Sequence, residues 1–127
     1  MSDSVVRFAS SKVKELRAQS TLPAKFINLL KEYPLSDMFR DKTVAIKIHV
    51  GSHLGYTTVH PLFIRLLVDA ILKAGGKPFI TDGSGAMHNA KARGYTEEVL
   101  GCPLIAAAGV ANNYGIIVSH TGRRNQR

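Results

Sequence analysis

The stretch that decides the fold is residues 43–82, TVAIKIHVGSHLGYTTVHPLFIRLLVDAILKAGGKPFITD. Its first part, 43–50, is a largely β-branched run that predicts a strand. Pro61 suits the first position of a helix, and the apolar pattern that follows it ends at the glycine pair 75–76. The apolar run 77–82 predicts a second, buried strand.

These three elements decide how the loops between them are arranged. A strand, a helix and a strand of this length form a crossover unit, so we expect parallel strands with a right-handed connection. The loops after Val50 and Asp82 then follow the carboxyl ends of neighbouring strands and share one rim of the sheet, where open α/β folds bind ligands. The predicted fold class is therefore α/β: a three-layer arrangement with a mostly parallel β-sheet flanked by helices.

Further elements are indicated on both sides of this unit. One apolar face predicts a helix at 22–33, with Thr21 and Pro23 fitting its start and Pro34 its end. A turn through 36–37 then leads to the first strand. Shorter signals predict strands at 5–9, 102–108 and 116–118, about two helical turns within 86–95, and a helical piece at 96–100.

Length and composition indicate one domain. With 127 residues, 45% of them hydrophobic, the chain has material for one core and not for two. We expect residues 1–120 to form a single α/β domain and residues 121–127 to form a basic, polar, disordered tail. The single cysteine, Cys102, excludes an internal disulfide and any cluster held by several thiolates of this chain, and we expect it to pack as a small apolar residue.

The formal net charge of +8 would attract any anion. Basic residues crowd both ends of the sequence without interleaved aromatic residues, which disfavours a nucleic-acid partner. No window approaches the about 20 apolar residues of a membrane span, and the start of the sequence lacks the pattern of a signal peptide. We therefore expect a cytoplasmic protein with neither a nucleic-acid nor a membrane partner.

A loop rich in hydrogen-bond donors follows the first strand. The segment 51–60 is longer than the roughly two to six residues usual between a strand and a helix, and such excess length often serves function. It leads into the amino end of the predicted helix, whose free amides favour an anion. No side chain near it is acidic, so a phosphate or carboxylate fits better than a cation. The ligand-binding candidates are Lys47, His49, His53, Thr57, Thr58 and His60, with Gly51 allowing close approach of the backbone.

Two other interpretations of this loop stay open. Three histidines suit zinc or nickel, but no carboxylate, cysteine or standard ligand spacing accompanies them, so we assign no metal site. Alternatively, Lys47 and His49, which lie on one side of the strand, are ordinary surface residues if that side meets solvent.

The second candidate loop follows the second strand. Asp82 ends that strand, and Ser84 with the amides around it would cradle an anion, or the carboxylate would bind a hydroxyl or a metal. The alternative is that this segment is only a tight turn that caps the next helix. Its sequence matches neither the P-loop motif nor the dinucleotide-binding motif, so a phosphate site is not favoured by sequence alone. The shared rim makes Asp82, Gly83 and Ser84 further ligand-binding candidates, and no catalytic residue is assigned.

Three motifs, in this order, resemble a known family. VAIKIHVG (44–51), TTVHPLFIRLLVDAILKAGGKPFITDGSG (57–85) and NAKARGYTEEVLGCPLIAAAG (89–109) are similar to the domain-of-unknown-function 362 family. The resemblance implies an α/β domain of unassigned activity, associated with ferredoxin-type [4Fe-4S] modules, and residues 5–9 are similar to the family's opening strand. The later glycine-rich and cysteine-rich motifs of larger members are absent, so the sequence resembles a truncated member. Any [4Fe-4S] cluster would be carried by missing sequence or a partner, and we expect no cofactor within this chain.

The leading hypothesis is an α/β domain that binds a small anionic molecule at the C-terminal rim of its sheet, in the company of a ferredoxin-type module or partner. Whether it is an enzyme stays open. In an enzymatic version, Lys47 or a loop histidine would act as acid, base or oxyanion donor, and Asp82 would orient a partner. The alternative is an interaction or homo-oligomerisation module without catalytic activity, in which the rim or an incomplete sheet edge docks another protein or a second copy.

Overall fold

Three parallel strands and four α-helices form the fold that the computed structural model describes over residues 4–51, 57–83, 87 and 89–107. The strands are β1 (Thr43–Lys47), β2 (Lys77–Asp82) and β3 (Leu104–Ala106), in the spatial order β1-β2-β3. The helices are α1 (Leu22–Lys31), α2 (Leu35–Phe39), α3 (Pro61–Lys73) and α4 (Glu97–Leu100). Short 3-10 turns cover Ala18–Ser20 and Lys91–Arg93.

The parallel pairing of the first two strands confirms the central prediction. Lys47, at the end of β1, is opposite Thr81 on β2. β2 pairs in the same direction with β3, where Ile80 is opposite Leu104. The α/β class with a parallel sheet is therefore confirmed, and the segments that follow β1 and β2 leave the sheet at the same rim.

Helix α3 supplies much of the core. It begins at Pro61, whose missing N–H costs nothing at the first helical position, and it ends before Gly75, which adopts a φ of 84°. Ile64, Val68 and Ile71 recur every three or four residues and are buried together with Ile80 of β2. A continuous apolar stripe on one helix face thus covers one side of the sheet.

Helices α3 and α4 lie on the same side of the sheet. Each belongs to a connection between neighbouring parallel strands in the order β1-β2-β3, and right-handed connections place both on one side. The two helices contact each other, in agreement with this arrangement. On the opposite side, Ala45 and Ile105 are exposed and Phe79 is half-buried. The predicted three-layer arrangement is therefore not confirmed in the described part of the chain.

Several element boundaries differ from the prediction. Residues 5–9 form no strand and are largely exposed, because they pair with no other strand in the described part of the chain. The predicted turn at 36–37 is helix α2. β1 and β3 are shorter than predicted. Within the predicted helical turns at 86–95, Met87 is helical and Lys91–Arg93 form a 3-10 turn, while residues 86 and 88 lie outside the described residues. The predicted strand at 116–118 and the predicted tail at 121–127 lie outside the described residues.

Candidate functional site

The Asp82 carboxylate is the centre of the rim. Its side chain is 9% exposed, and each of its two oxygens accepts a hydrogen bond from a backbone amide. Lys47 Nζ lies 2.8 Å from Oδ1, and the Gly83 amide donates to the same oxygen at 2.8 Å. The Val50 amide donates to Oδ2 at 2.9 Å, and His49 Nδ1 lies 3.5 Å from it. A carboxylate offers about four acceptor positions, and Lys47 and the two amides occupy three of them.

The same groups keep Asp82 ionised. Burial by itself would raise the pKa of its carboxyl. The hydrogen bond from Lys47, the amides of Val50 and Gly83 and the charge of Lys47 outweigh burial and lower the pKa to about 2. At neutral pH, Asp82 is therefore a fixed negative charge that joins the end of β1 to the end of β2.

Gly51 and Arg93 meet next to this carboxylate. Gly51 follows Val50, is buried and has a φ of 98°, a conformation that favours glycine. A Cβ placed on Gly51 would lie 2.1 Å from Arg93 Nη1 and 2.9 Å from Thr58 Cγ2. The guanidinium therefore packs directly on the glycine backbone. Arg93 Nη1 is buried and has no hydrogen-bond partner among the described residues.

The far end of the loop after β1 is anchored by two other contacts. Tyr95 is 2% exposed, and its hydroxyl donates to the carbonyl of Val59. His60 caps helix α3, because its Nδ1 accepts from the Leu62 amide at 3.2 Å. The loop is thus held at its start by Asp82 and at its end by Tyr95 and the cap of α3.

The structure brings together only some of the predicted ligand-binding residues. Lys47, His49, Asp82 and Gly83 form one cluster, with Gly51 beside it. Thr57 is exposed, Thr58 is half-buried against Gly51, and His60 serves as a helix cap. His53 and Ser84 lie outside the described residues. The positions are compatible with a shared ligand, but ligand binding by these residues stays a prediction.

Sequence reasoning missed Arg93 and Tyr95. The segment that carries them was predicted only as helical turns, without a role at the rim. A signal was present, because Gly94 has a φ of 78° at the end of the 3-10 turn and a bulky apolar residue just after such a glycine often packs back on the preceding turn. The contact of Arg93 with Gly51 has no counterpart in sequence spacing, since 42 positions separate the two residues.

The described residues contain no group of three or more histidine, cysteine or acidic side chains that could hold a metal ion. The single cysteine also does not fit a [4Fe-4S] cluster, which needs several thiolates. Cys102 is 6% exposed, and burial raises the pKa of its thiol, so thiolate chemistry is disfavoured there. None of the described helices is both long enough and apolar enough to cross a bilayer.

The comparisons with known proteins give one result. A family model described as "Domain of unknown function (DUF362)" matches residues 44–125, about two thirds of the chain. The chain belongs to this family. The motifs that resemble DUF362 in the sequence end at residue 109, whereas the family match continues to 125. The match includes Lys47, His49, Gly51, Asp82 and Gly83. No curated protein and no solved structure matches the chain.

Proposed function

We propose that the rim of this DUF362 domain binds a small molecule through an oxyanion, either a phosphate or a carboxylate. One observation carries the proposal: the buried Nη1 of Arg93 lacks a hydrogen-bond acceptor among the described residues. Leaving a buried donor of a charged group unsatisfied costs at least about 1–3 kcal/mol. An oxyanion bound against Gly51 would supply the acceptor, and guanidinium groups suit phosphate and carboxylate geometry well.

The charges around Arg93 favour an anion over a cation. Lys47 and Asp82 form an ion pair 2.8 Å long, so their charges largely cancel, whereas the charge of Arg93 has no acidic partner among the described residues. Lys47 also keeps a donor for a ligand. Its ammonium has three N–H groups, its acceptors among the described residues are Asp82 and the Ile48 carbonyl, and its side chain is 62% exposed. A ligand placed between Arg93 and Lys47 would meet two cations.

Asp82 has a different role from the one first considered for it. Its oxygens are occupied by protein donors, so the proposal does not use it as a ligand for a hydroxyl or a metal. It holds the Val50 amide and Lys47 in place, and Gly51 follows directly in the chain. In this proposal Asp82 positions the site, and Arg93 and Lys47 contact the anion.

Thermal shift and titration calorimetry with inorganic phosphate and acetate test the proposal, with sodium chloride at matched ionic strength as the reference. We expect at least one anion to raise the melting temperature of the wild-type protein. Arg93→Met keeps most of the apolar stem and should weaken binding at least about 10-fold, equivalent to about 1.4 kcal/mol. Lys91→Met removes an exposed charge two residues away and should bind like wild type.

Two further variants distinguish a residue that contacts the anion from a residue that positions the site. Lys47→Ala should weaken anion binding, and Asp82→Ala should abolish it by releasing the start of the loop. Equal anion binding by wild-type protein and Arg93→Met would contradict the proposal. So would an equal loss in Arg93→Met and Lys91→Met, because that result indicates only a response to net charge.

The wider setting of the domain is also a proposal. The resemblance noted above supports association with a ferredoxin-type partner that would carry a [4Fe-4S] cluster, and a cytoplasmic location is proposed with it. Co-purification without oxygen, followed by iron and sulfide analysis, tests this association. Iron bound to the isolated chain in stoichiometric amount would contradict it, since the chain has one cysteine.

A further inference from the structure

We infer that residues 4–17, which we name the N-terminal arm, bind the surface of an anionic lipid bilayer. In this contact the apolar side chains of the arm insert among the lipid headgroups, and its basic side chains meet the lipid phosphates. The arm precedes the region that matches DUF362, so the inference does not depend on the anion site at the rim. The expectation that the chain has no membrane partner rested on the lack of a spanning segment, which a surface contact does not need.

The arm exposes several large apolar side chains. Val5, Val6 and Phe8 are 75%, 87% and 84% exposed, Val13 is 49% exposed, and Leu16 is fully exposed. Single exposed apolar residues are common on protein surfaces, but five of them within 12 consecutive residues form a concentrated apolar surface. Contact of these side chains with water is unfavourable, so an apolar partner would stabilise the arm.

Basic side chains lie among the apolar ones. They are Arg7, Lys12, Lys14 and Arg17, and the only acidic residue of the arm, Glu15, pairs with Arg17 at 2.9 Å. Lysine and arginine can lay their methylene stems along apolar groups and still keep the charged end at the level of the lipid phosphates. The charge of the arm is therefore complementary to anionic headgroups.

Two contacts hold the arm on its own chain and leave its apolar side chains exposed. The guanidinium of Arg7 lies over the Tyr33 ring of the same chain, 4.7 Å from the ring centroid. Lys25 Nζ of α1 donates to the Ser10 carbonyl at 2.9 Å. Phe8 lies between these two attachments in the chain and is still exposed. The arm is thus partly ordered before it meets a bilayer, which lowers the entropic cost of binding.

A bilayer suits the arm better than a nucleic acid or a second copy does. The phosphates of a nucleic acid would attract the basic side chains but leave the exposed valines and leucine in water, and Phe8 is the only aromatic residue of the arm that could stack on a base. Two copies would bring arms of the same charge together, which opposes association. The headgroup region of an anionic bilayer accepts apolar and basic side chains together and adapts to them without a matched surface.

Co-sedimentation of the 127-residue chain with lipid vesicles tests the inference. Vesicles of phosphatidylcholine alone are compared with vesicles that also contain about 30% phosphatidylserine, which gives them a negative surface potential. We expect the wild-type protein to bind the anionic vesicles at about 0.1 M salt and to bind the neutral vesicles much more weakly.

A double variant in the arm tests the apolar part of the contact. Val6→Ser/Phe8→Ser should weaken binding to anionic vesicles at least about 10-fold. In buffer without lipid it should keep the wild-type melting temperature, because both side chains are exposed. Val99→Ser is the matched control, because Val99 is 45% exposed on α4, outside the arm, and this variant should bind vesicles like wild type.

A second double variant tests the charged part. Lys12→Gln/Lys14→Gln should weaken binding to anionic vesicles at least about 10-fold. Lys73→Gln/Lys91→Gln removes the same charge from exposed positions outside the arm and should bind nearly like wild type. Arg93→Met should also bind vesicles like wild type, because the rim is a different surface. The two proposals therefore fail separately.

Four results would overturn the inference. The first is no binding of the wild-type protein to anionic vesicles at about 1 mM lipid, where even a weak contact is detected. The second is equal vesicle binding by wild type and Val6→Ser/Phe8→Ser, or an equal loss in the two lysine pairs, since either result shows only attraction by charge. The third is a lower melting temperature of Val6→Ser/Phe8→Ser without lipid, which assigns these side chains to the fold of their own chain. The fourth is tighter binding to single-stranded nucleic acid than to anionic vesicles at the same salt concentration.

Discussion

At the scale of single residues, a few side chains give the rim its shape. Asp82 accepts hydrogen bonds from Lys47, Val50 and Gly83, and Gly51 makes room for the Arg93 guanidinium. The sequence identified Asp82 and Gly51 because one ends a buried strand and the other is a glycine in a long loop. It did not identify Arg93, because the role of an arginine side chain depends on which part of the backbone it packs against.

The first prediction concerns the pH dependence of stability at Asp82. Its pKa is lowered from 3.8 to about 2, so the folded state prefers the carboxylate. The stabilisation is fully present above about pH 4 and is lost as the pH falls through about 2. It amounts to on the order of 2 kcal/mol. Asp82→Asn should lose this amount at pH 7 and should show a smaller further loss between pH 4 and pH 2, measured by urea unfolding.

Asp69→Asn is the control for this measurement. Asp69 also pairs with a cation, Arg65, at 2.9 Å, but both side chains are partly exposed and the pair lies on a helix surface. We expect a loss of about 0.5 kcal/mol or less. Equal losses in the two variants would show that the Asp82 cluster is an ordinary surface ion pair.

The second prediction uses two glycines of the rim. Gly51→Ala places a Cβ against Arg93 and Thr58 at a φ of 98°, so the free energy of unfolding should fall by at least about 2 kcal/mol. Gly83→Ala meets no heavy atom within 4 Å and should change stability by less than about 0.5 kcal/mol. Thermal and urea unfolding of both variants measure the difference. A tolerated Gly51→Ala would mean that Arg93 does not pack there.

At the scale of elements, the crossover unit β1-α3-β2 was predicted correctly, and so were α1, α4 and β3 apart from their ends, whereas residues 5–9 and α2 were not. The proline start, glycine end and apolar stripe of α3 are local signals, so the sequence alone predicts the helix. The residues at 5–9 have β-propensity, but a strand also needs a partner, and they pair with none in the described part of the chain. Helix α2 was not predicted, because a five-residue helix has too few turns to show the hydrophobic periodicity of a helix.

The third prediction compares two neighbouring residues of α3. Ile71 is 1% exposed in the core, and Leu72 is 46% exposed on the same helix. Ile71→Ala should lower the free energy of unfolding by about 2–5 kcal/mol, because it removes buried methylene groups and leaves a cavity. Leu72→Ala should cost less than about 1 kcal/mol. Similar losses for both would mean that α3 does not bury the stripe that faces β2.

At the scale of the whole molecule, buried side chains are unevenly distributed along the chain. The core joins one side of the sheet to α3 and α4, with Ile80, Val68 and Leu100 fully buried. Residues 4–14 contribute no buried side chain to it. The core therefore lies in the region that includes the DUF362 match.

The fourth prediction is a gradient of amide hydrogen exchange in dilute solution. The Ile80 amide bonds to Pro103 in the centre of the sheet and should exchange only on global unfolding. The Val50 amide bonds to Asp82 and should exchange faster, through local opening of the rim. Residues 4–9 should show almost no protection. Protection of Ile80 no greater than that of residues 4–9 would contradict the core described above.

By itself the sequence determined the order of strand, helix and strand, the parallel pairing and the shared rim. These features follow from periodicity and from a connection rule that applies to neighbours in the chain. Only the tertiary structure decided that three donors converge on Asp82, that Arg93 packs on Gly51 and that residues 5–9 stay outside the described sheet. The reason is physical: burial and hydrogen-bond partners depend on contacts between residues far apart in the chain, and local patterns do not encode those contacts.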